Sequence, residues 1–180
     1  FEEQFNTPIA KTKEKVLKEL EDPESYREEI EAHFKNLPSR YFNYRGATSI
    51  ARHITLFRSF FTRLTGDGSE SLQPVFIWEA RPDEGYTLLE LVSWNRQSLL
   101  SIIAGALASR NLNVLSADIF MREDDLVLDI FRVCTTDFHP IPPHEIKQLE
   151  KLISEACCAD EHSPVNFPKL IEERSQPSIL

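Results

Sequence analysis

The hydrophobic pattern of this chain changes its period after about residue 64, and this change restricts the possible folds more than any other feature. Up to about residue 64, apolar residues recur every three or four positions, as they do on one face of an amphipathic helix. The segments at residues 75–81 and 86–93 instead have the period of two that is typical of β-strands. Between these regions lies the sequence GDGS at residues 66–69, which is typical of a linker. We therefore predict a helical lead-in segment over residues 1–65 and a sheet-containing domain over residues 72–171.

The lead-in segment is expected to contain three helices. Thr7 and Asp22 are candidate N-caps, since a proline follows each of them at the first helical position. A third helix is expected over residues 48–64. Five basic side chains lie on or near this helix in the sequence: Arg45, Arg52, His53, Arg58 and Arg63. We interpret them as a solvated helix face, because a formal net charge of −9 argues against a nucleic-acid-binding surface.

The sheet domain is expected to follow the order β-α-β-β-α, with one extra strand at its N-terminal end. Strands are predicted at residues 75–81, 86–93, 113–122 and 126–135, helices at 95–110 and 143–157, and a short strand or tail at 165–171. Asn111 is expected to end the first of these helices in the left-handed conformation that asparagine tolerates. This order is that of an α+β, ferredoxin-like fold with an antiparallel sheet. Both helices then cover one face of the sheet, and the other face is left free for a second sheet or subunit.

The sequence contains no arrangement that indicates catalysis. His139 and His144 are separated by prolines, and no cluster of cysteines or carboxylates near them has ligand spacing. Glu79 and Glu90 are expected on neighbouring strands, where we interpret them as an exposed pair at a sheet edge rather than as acid–base groups. We therefore predict no catalytic residue, no metal site and no cofactor.

The composition indicates a cytoplasmic protein. Three cysteines are present, and the adjacent pair Cys157 and Cys158 is poorly placed to form a disulfide, so we expect reduced thiols. No apolar run approaches the roughly 20 residues of a membrane span, and no signal peptide opens the sequence. Because the sequence begins with Phe1, we expect it to be cut from a longer chain.

The turn at residues 94–100 is the strongest candidate for a binding site. Asn95 can cap the following helix, whose free N-terminal amides and positive dipole end suit the carboxylate of an amino acid. Asn113 begins the next strand and is expected near the same end of the sheet, where its amide can bind a polar group. The alternative is a capped helix end that binds nothing. The candidate ligand-binding residues are Asn95, Gln97, Ser98, Leu99 and Asn113.

Several segments resemble a known family. The sequence NRQSLLSIIAGALA at residues 95–108 resembles the opening of an ACT domain, and residues 111–120 resemble the strand that follows it. The sequence VLDIFRV at residues 127–133 is similar to the third ACT strand of the bacterial PII-protein uridylyltransferase and uridylyl-removing enzyme. Residues 41–42 and 49–53 resemble the stretch before its first ACT domain. The ACT turn usually reads Asp-x-Pro-Gly, and the corresponding positions here are Asn95, Gln97 and Ser98.

The resemblance implies a connector followed by the first ACT domain of such an enzyme, without its catalytic residues. It implies a regulatory role in nitrogen metabolism, with glutamine as the amino-acid effector and a PII-type signalling protein as the partner of the parent enzyme. A homodimer, or the pairing of two ACT domains, is expected through the apolar strand that contains Val75, Phe76, Ile77 and Trp78. The alternatives are a structural ACT-like dimerisation module without a ligand, and a different nucleotidyltransferase-like or stand-alone regulatory protein. No nucleic acid and no membrane is expected as a partner.

Overall fold

The protein is described by a computed structural model that covers residues 2–43, 45–64 and 72–159. The helices of these residues are α1 (Glu2–Glu19), α2 (Arg27–Asn36), α3 (Ser39–Asn43), α4 (Ala47–Leu64), α5 (Leu99–Ser109) and α6 (Ile146–Cys158). The strands are β1 (Val75–Arg81), β2 (Tyr86–Trp94), β3 (Leu112–Met121) and β4 (Leu126–Thr135). Among the described helices, none combines the length and the apolar character that crossing a membrane requires. The expected linker at residues 66–69 and the expected strand or tail at 165–171 lie outside the described residues.

The four strands form one antiparallel sheet in the order β1-β2-β4-β3. β1 and β2 pair along their length, as expected for a hairpin. β2 and β3 both pair with β4, so they run parallel to each other with β4 between them, and α5 connects them. This is the split β-α-β arrangement. The predicted α+β fold, with an antiparallel sheet behind a helical segment, is confirmed.

Both faces of the sheet are covered by helices of the chain itself. On one face, α5 and α6 form a hydrophobic cluster with the sheet that includes Ile103 and Phe131. On the other face, α4 lies against the sheet with α1 and α2 packed on it, and their cluster includes Phe57 and Leu128. The expectation that the second face is free for another sheet or subunit is therefore wrong, because the amphipathic lead-in helices bury their apolar sides against it.

The apolar side chains of β1 are also used within the chain. Val75 and Ile77 pack against the cluster under α4, and Phe76 and Trp78 pack against the cluster under α5 and α6. All four side chains are half-buried. The free part of β1 is therefore its backbone edge, because β1 pairs with β2 alone among the described strands.

The ends of the helices follow local signals at some positions and not at others. α1 already begins at Glu2, so Thr7 does not start it. Asp22 acts as predicted, because its side chain accepts a hydrogen bond of 3.4 Å from the Ser25 N–H at the start of the short helical turn before α2. Asn111 has φ 57°, which confirms the predicted left-handed end of α5.

Candidate functional site

The residues predicted to bind a ligand lie at two separate places in the fold. Four of them lie between β2 and the first turn of α5: Asn95, Gln97, Ser98 and Leu99. Asn113 is exposed near the start of β3, where it pairs with Cys134. The partner of Trp94 on the same strand is Leu126, eight positions away, which corresponds to about 27 Å of strand. The expectation that Asn113 lies near the same end of the sheet is wrong, because α5 returns the chain to the opposite end before β3 begins.

The turn before α5 is not a simple capped helix start. The N-cap position is Ser98 rather than Asn95, and its side chain makes no capping hydrogen bond. The backbone N–H of Asn95 instead donates to the carbonyl oxygen of Asp125 at 2.9 Å. Ser98 has φ 61°, in the left-handed region that favours glycine. The N–H groups of Gln97 and Ser98 donate to no backbone carbonyl of the described residues.

A cleft of about 330 Å³ lies between this turn and the C-terminal end of α6. Its lining consists of Leu72, Ser93, Trp94, Asn95, Arg96, Cys157, Cys158 and Ala159. Arg96 ties the two sides together, because its Nη1 donates to the carbonyl oxygens of Cys157 at 2.6 Å and Ala159 at 3.2 Å. These bonds satisfy carbonyl groups that the end of a helix otherwise leaves unpaired.

Two buried polar side chains, of which Ser93 alone lines the cleft, have no hydrogen-bond partner among the described residues. Ser93 lines the cleft and is 2% exposed, and Asp129 of β4 is 1% exposed. Leu91 pairs with Asp129, so Ser93 occupies the diagonal position on the same sheet face, about 7–8 Å away between Cα atoms. Burial raises the pKa of Asp129 to about 7. A ligand group that donates hydrogen bonds or carries positive charge would stabilise this carboxyl group.

The cleft is better suited to binding than to chemistry. Burial, together with the neighbouring Cys158 and Asp129, raises the pKa of the Cys157 thiol to about 12, so this thiol stays protonated and is a poor nucleophile. Within residues 2–43, 45–64 and 72–159, no group of three or more histidine, cysteine or acidic side chains is placed to hold a metal ion.

A second polar feature lies on the other face of the sheet and joins three lead-in helices to β2. His33 Nε2 lies 2.9 Å from Tyr41 Oη, and Tyr41 Oη lies 2.6 Å from His53 Nδ1. His53 Nε2 contacts the Glu90 carboxylate, which also pairs with Arg52. Because a carboxylate only accepts, His53 Nε2 donates to Glu90, Tyr41 donates to His53 Nδ1, and His33 donates to Tyr41.

The pKa values of these groups agree with this direction of donation. Burial lowers the pKa of His33 well below its usual value, and burial lowers that of His53 although Glu90 opposes the shift. Burial alone would raise the pKa of Glu90, but the hydrogen bonds and charges of His53 and Arg52 outweigh it and lower the pKa. The network therefore contains two neutral histidines, a carboxylate and a guanidinium, and it fixes the helical layer to the sheet.

This network corrects two interpretations made from the sequence. Glu90 is fully buried, so it is not part of an exposed pair at a sheet edge; only Glu79, whose side chain is 39% exposed, lies near the surface. The basic residues around α4 are not a solvated face either. His53 is buried, and Arg58 donates to Glu29 at 2.7 Å and stacks on Tyr26.

Ser93, Arg96 and Asp129 are candidate site residues that were not predicted from the sequence. For Asp129 a signal exists, because it is the one carboxylate in the strand LVLDIFRVCT, which is otherwise almost entirely apolar. For Ser93 and Arg96 no such signal exists, since serine and arginine are ordinary residues in a turn. Comparison with known proteins adds no site residue: no protein-family model matches the chain, and no solved structure matches it significantly.

Proposed function

We propose that this chain is a regulatory, amino-acid-sensing segment of the ACT kind, belonging to a cytoplasmic enzyme that resembles the PII-protein uridylyltransferases. Its effector is a small amino acid of the glutamine type, which binds in the cleft between the β2–α5 turn and α6. The observation that carries this proposal is the unpartnered pair Ser93 and Asp129, buried beside that cleft.

The two charged groups of an α-amino acid are complementary to two sets of groups near the cleft, of which Ser93 lines it. Its ammonium group would donate to Asp129 and Ser93, which have no other partner among the described residues. A nearby positive charge lowers the pKa of a carboxyl group, so the ligand would ionise Asp129 on binding. Its carboxylate would lie at the free N–H groups of Gln97 and Ser98, where the positive end of the α5 dipole favours an anion.

The resemblance to the uridylyltransferases supports the wider role. In this proposal the segment has no catalytic residue of its own and reports the effector to a parent enzyme that acts on a PII-type signalling protein. The left-handed Ser98 supports the ACT comparison, because the backbone keeps at this position the conformation that the usual glycine provides.

Calorimetric titration with glutamine at pH 8 tests the proposed function. We expect binding to the wild type and a loss of affinity of at least about tenfold in Asp129→Asn and in Ser93→Ala, since each removes a hydrogen bond to a charged group. Asn113→Ala is the matched control and should bind normally, because Asn113 lies at the opposite end of the sheet. No heat with the wild type, or an affinity unchanged in Asp129→Asn, would refute the proposed site and favour a module without a ligand.

A second candidate function is dimerisation through an edge of the sheet, and the exposed side chains of β3 favour it. Val114 is 37% exposed, Leu115 48% and Met121 57%, and β3 pairs only with β4 among the described strands. Two copies that join along β3 would cover these side chains. Light scattering tests this candidate: a dimer that Leu115→Lys converts to a monomer supports it, and a wild-type monomer at high concentration contradicts it.

A further inference from the structure

A separate pocket lies on the sheet face opposite the cleft, between the start of α4 and the strands β1, β2 and β4. Its volume is about 130 Å³, comparable to the space of roughly four water molecules. Its lining consists of Arg45, Ser49, Arg52, His53, Arg81, Tyr86, Leu88, Glu90, Ile130 and Arg132. Four guanidinium groups therefore surround a small space in a protein whose net charge is −9.

The negative charge in this lining is smaller than the positive charge. Glu90 is its one carboxylate, and the buried network already holds it through Arg52 and His53. His53 is neutral, because burial lowers its pKa. The lining itself therefore carries four positive charges against one negative charge.

The other carboxylates that contact these arginines lie outside the pocket and close to water. Asp118 pairs with Arg45 at 3.0 Å and is 46% exposed. Glu79 pairs with Arg52 at 2.7 Å and with Arg81 at 2.9 Å, and it is 39% exposed. Glu84, which is 55% exposed, lies 3.7 Å from Arg81. Ion pairs of this kind are weakened by solvent, so they leave part of the attraction of the guanidinium groups available.

Arg132 differs from the other three arginines. Among the described residues it has no carboxylate partner; its Nη1 donates to the Ser116 hydroxyl at 3.0 Å, and the guanidinium lies 5.8 Å from the centre of the Tyr86 ring. The Nε atoms of Arg45 and Arg52 are buried and have no hydrogen-bond partner in the described part of the chain. Arg132 is thus the one arginine of this lining that has no carboxylate partner among the described residues.

We infer that this pocket binds the phosphate group of a small molecule. Guanidinium groups form paired hydrogen bonds to phosphate oxygens, and several of them around one space favour a doubly charged anion. Ser49, in the first turn of α4, lines the pocket, and this turn contains no acidic residue, so the positive end of the helix dipole adds to the attraction. The volume admits one phosphate group and excludes a nucleotide from entering whole.

Calorimetric titration of the full chain with inorganic phosphate, glycerol 3-phosphate and succinate tests this inference. We expect both phosphates to bind the wild type, with succinate at least about tenfold weaker. Arg132→Gln should weaken phosphate binding at least about tenfold, since it removes a charged donor that has no carboxylate partner in the described residues. Binding of inorganic phosphate alone would identify the free ion as the ligand; binding of both would identify a phosphate ester.

Two further variants separate loss of the site from loss of the fold. Arg81→Gln removes a second guanidinium from the lining and should also weaken phosphate binding. Arg110→Gln is the matched control, because Arg110 lies at the end of α5 on the opposite face of the sheet, where it contacts Gln148. No phosphate binding to the wild type, tighter binding of succinate than of phosphate, or equal weakening by Arg110→Gln and Arg132→Gln would overturn the inference.

Discussion

The two faces of the sheet bury polar groups in opposite ways. Under α4, the carboxylate of Glu90 is matched by His53 and Arg52, and the chain of hydrogen bonds continues to Tyr41 and to His33, where it ends because His33 Nδ1 has no partner among the described residues. Under α5 and α6, the carboxyl group of Asp129 is buried to the same degree, but no described residue matches it. The sign of the pKa shift records this difference: the pKa of Glu90 is lowered despite burial, and burial raises that of Asp129.

The comparison teaches that burial alone does not show what a polar group does. A matched carboxylate joins elements and contributes to the fold, whereas an unmatched one destabilises the fold until something binds it. Backbone strain also lies on the face that contains Asp129, since Ser98 has a left-handed backbone at the start of α5. We therefore interpret the hydrogen-bond network around Glu90 as a contribution to stability, and Asp129 remains the group that we propose to receive the amino-acid ligand.

The largest expected effect comes from removing the Glu90 carboxylate, which holds the hydrogen-bond network under α4. Glu90→Ala leaves the buried His53 without its carboxylate and removes one of the two carboxylates that pair with Arg52, and it should reduce the free energy of unfolding by about 3–5 kcal/mol. Glu79→Ala is the control, because it removes a carboxylate whose ion pairs lie near the surface and should cost less than about 1 kcal/mol. Urea unfolding at pH 7 measures both. Equal losses in the two variants would contradict the distinction between the faces.

The pH dependence of stability tests whether the buried carboxyl group of Asp129 has no partner. The carboxyl group of Asp129 loses its proton near pH 3.8 in the unfolded chain and near pH 7 in the folded protein. Between these values the folded state binds more protons, so raising the pH from 4 to 7 should lower the free energy of unfolding by on the order of 4 kcal/mol from this group. Below pH 3.8 both states are protonated and the contribution disappears.

Asp129→Asn should remove this dependence, because asparagine does not titrate. The buried histidines have lowered pKa values and act in the opposite direction, since their neutral folded forms gain stability as the pH rises towards 6.5. The histidines are the same in both proteins. The difference in the free energy of unfolding between variant and wild type therefore reports the contribution of Asp129 alone. A difference that stays constant from pH 4 to pH 7.5 would show that the carboxyl group is matched after all.

A smaller effect of opposite sign is expected at the turn before α5. Ser98→Gly relieves the left-handed strain of a residue with a side chain and should stabilise the protein by about 0.5–1 kcal/mol after the greater flexibility of the unfolded chain is included. Ser101→Gly is the matched control, because Ser101 lies within α5, where glycine should destabilise by roughly 0.5 kcal/mol. Thermal unfolding compares the two. Destabilisation by Ser98→Gly would show that the serine side chain has a role in this turn.

The sequence predicts the architecture better than it predicts the site. The alternation of apolar residues gives β1 and β4 with their observed bounds, and Asn111 ends α5 as expected, because these signals are local. The expectation that Glu90 is exposed is wrong because the alternation of apolar residues shows which face a residue lies on, but it does not show whether a helix covers that face. Which helices cover the sheet depends on contacts between residues far apart in the sequence, such as His53 and Glu90.

The error at Asn113 has a different cause. The predicted order of elements already requires β2 and β3 to run parallel with α5 between them, so their first residues lie at the same end, away from the β2–α5 turn. Asp129, in contrast, could have been found from the sequence. It is the only carboxylate in a strand that is apolar on both faces, and a buried carboxylate of this kind is unusual. That its partner is absent among the described residues follows only from the packing around it.

The most direct test of the central claim is the pKa of Asp129 itself. Carbon-13 NMR of the labelled side-chain carboxyl group, titrated with and without saturating glutamine, reports this value for the single residue. We predict a pKa of about 7 in the free protein and a clear decrease when glutamine is bound, since its ammonium group would favour the carboxylate. A value near 3.8 in the free protein would mean that the carboxyl group is already matched. A value that glutamine leaves unchanged would mean that Asp129 does not receive the ligand, and either result would contradict the account.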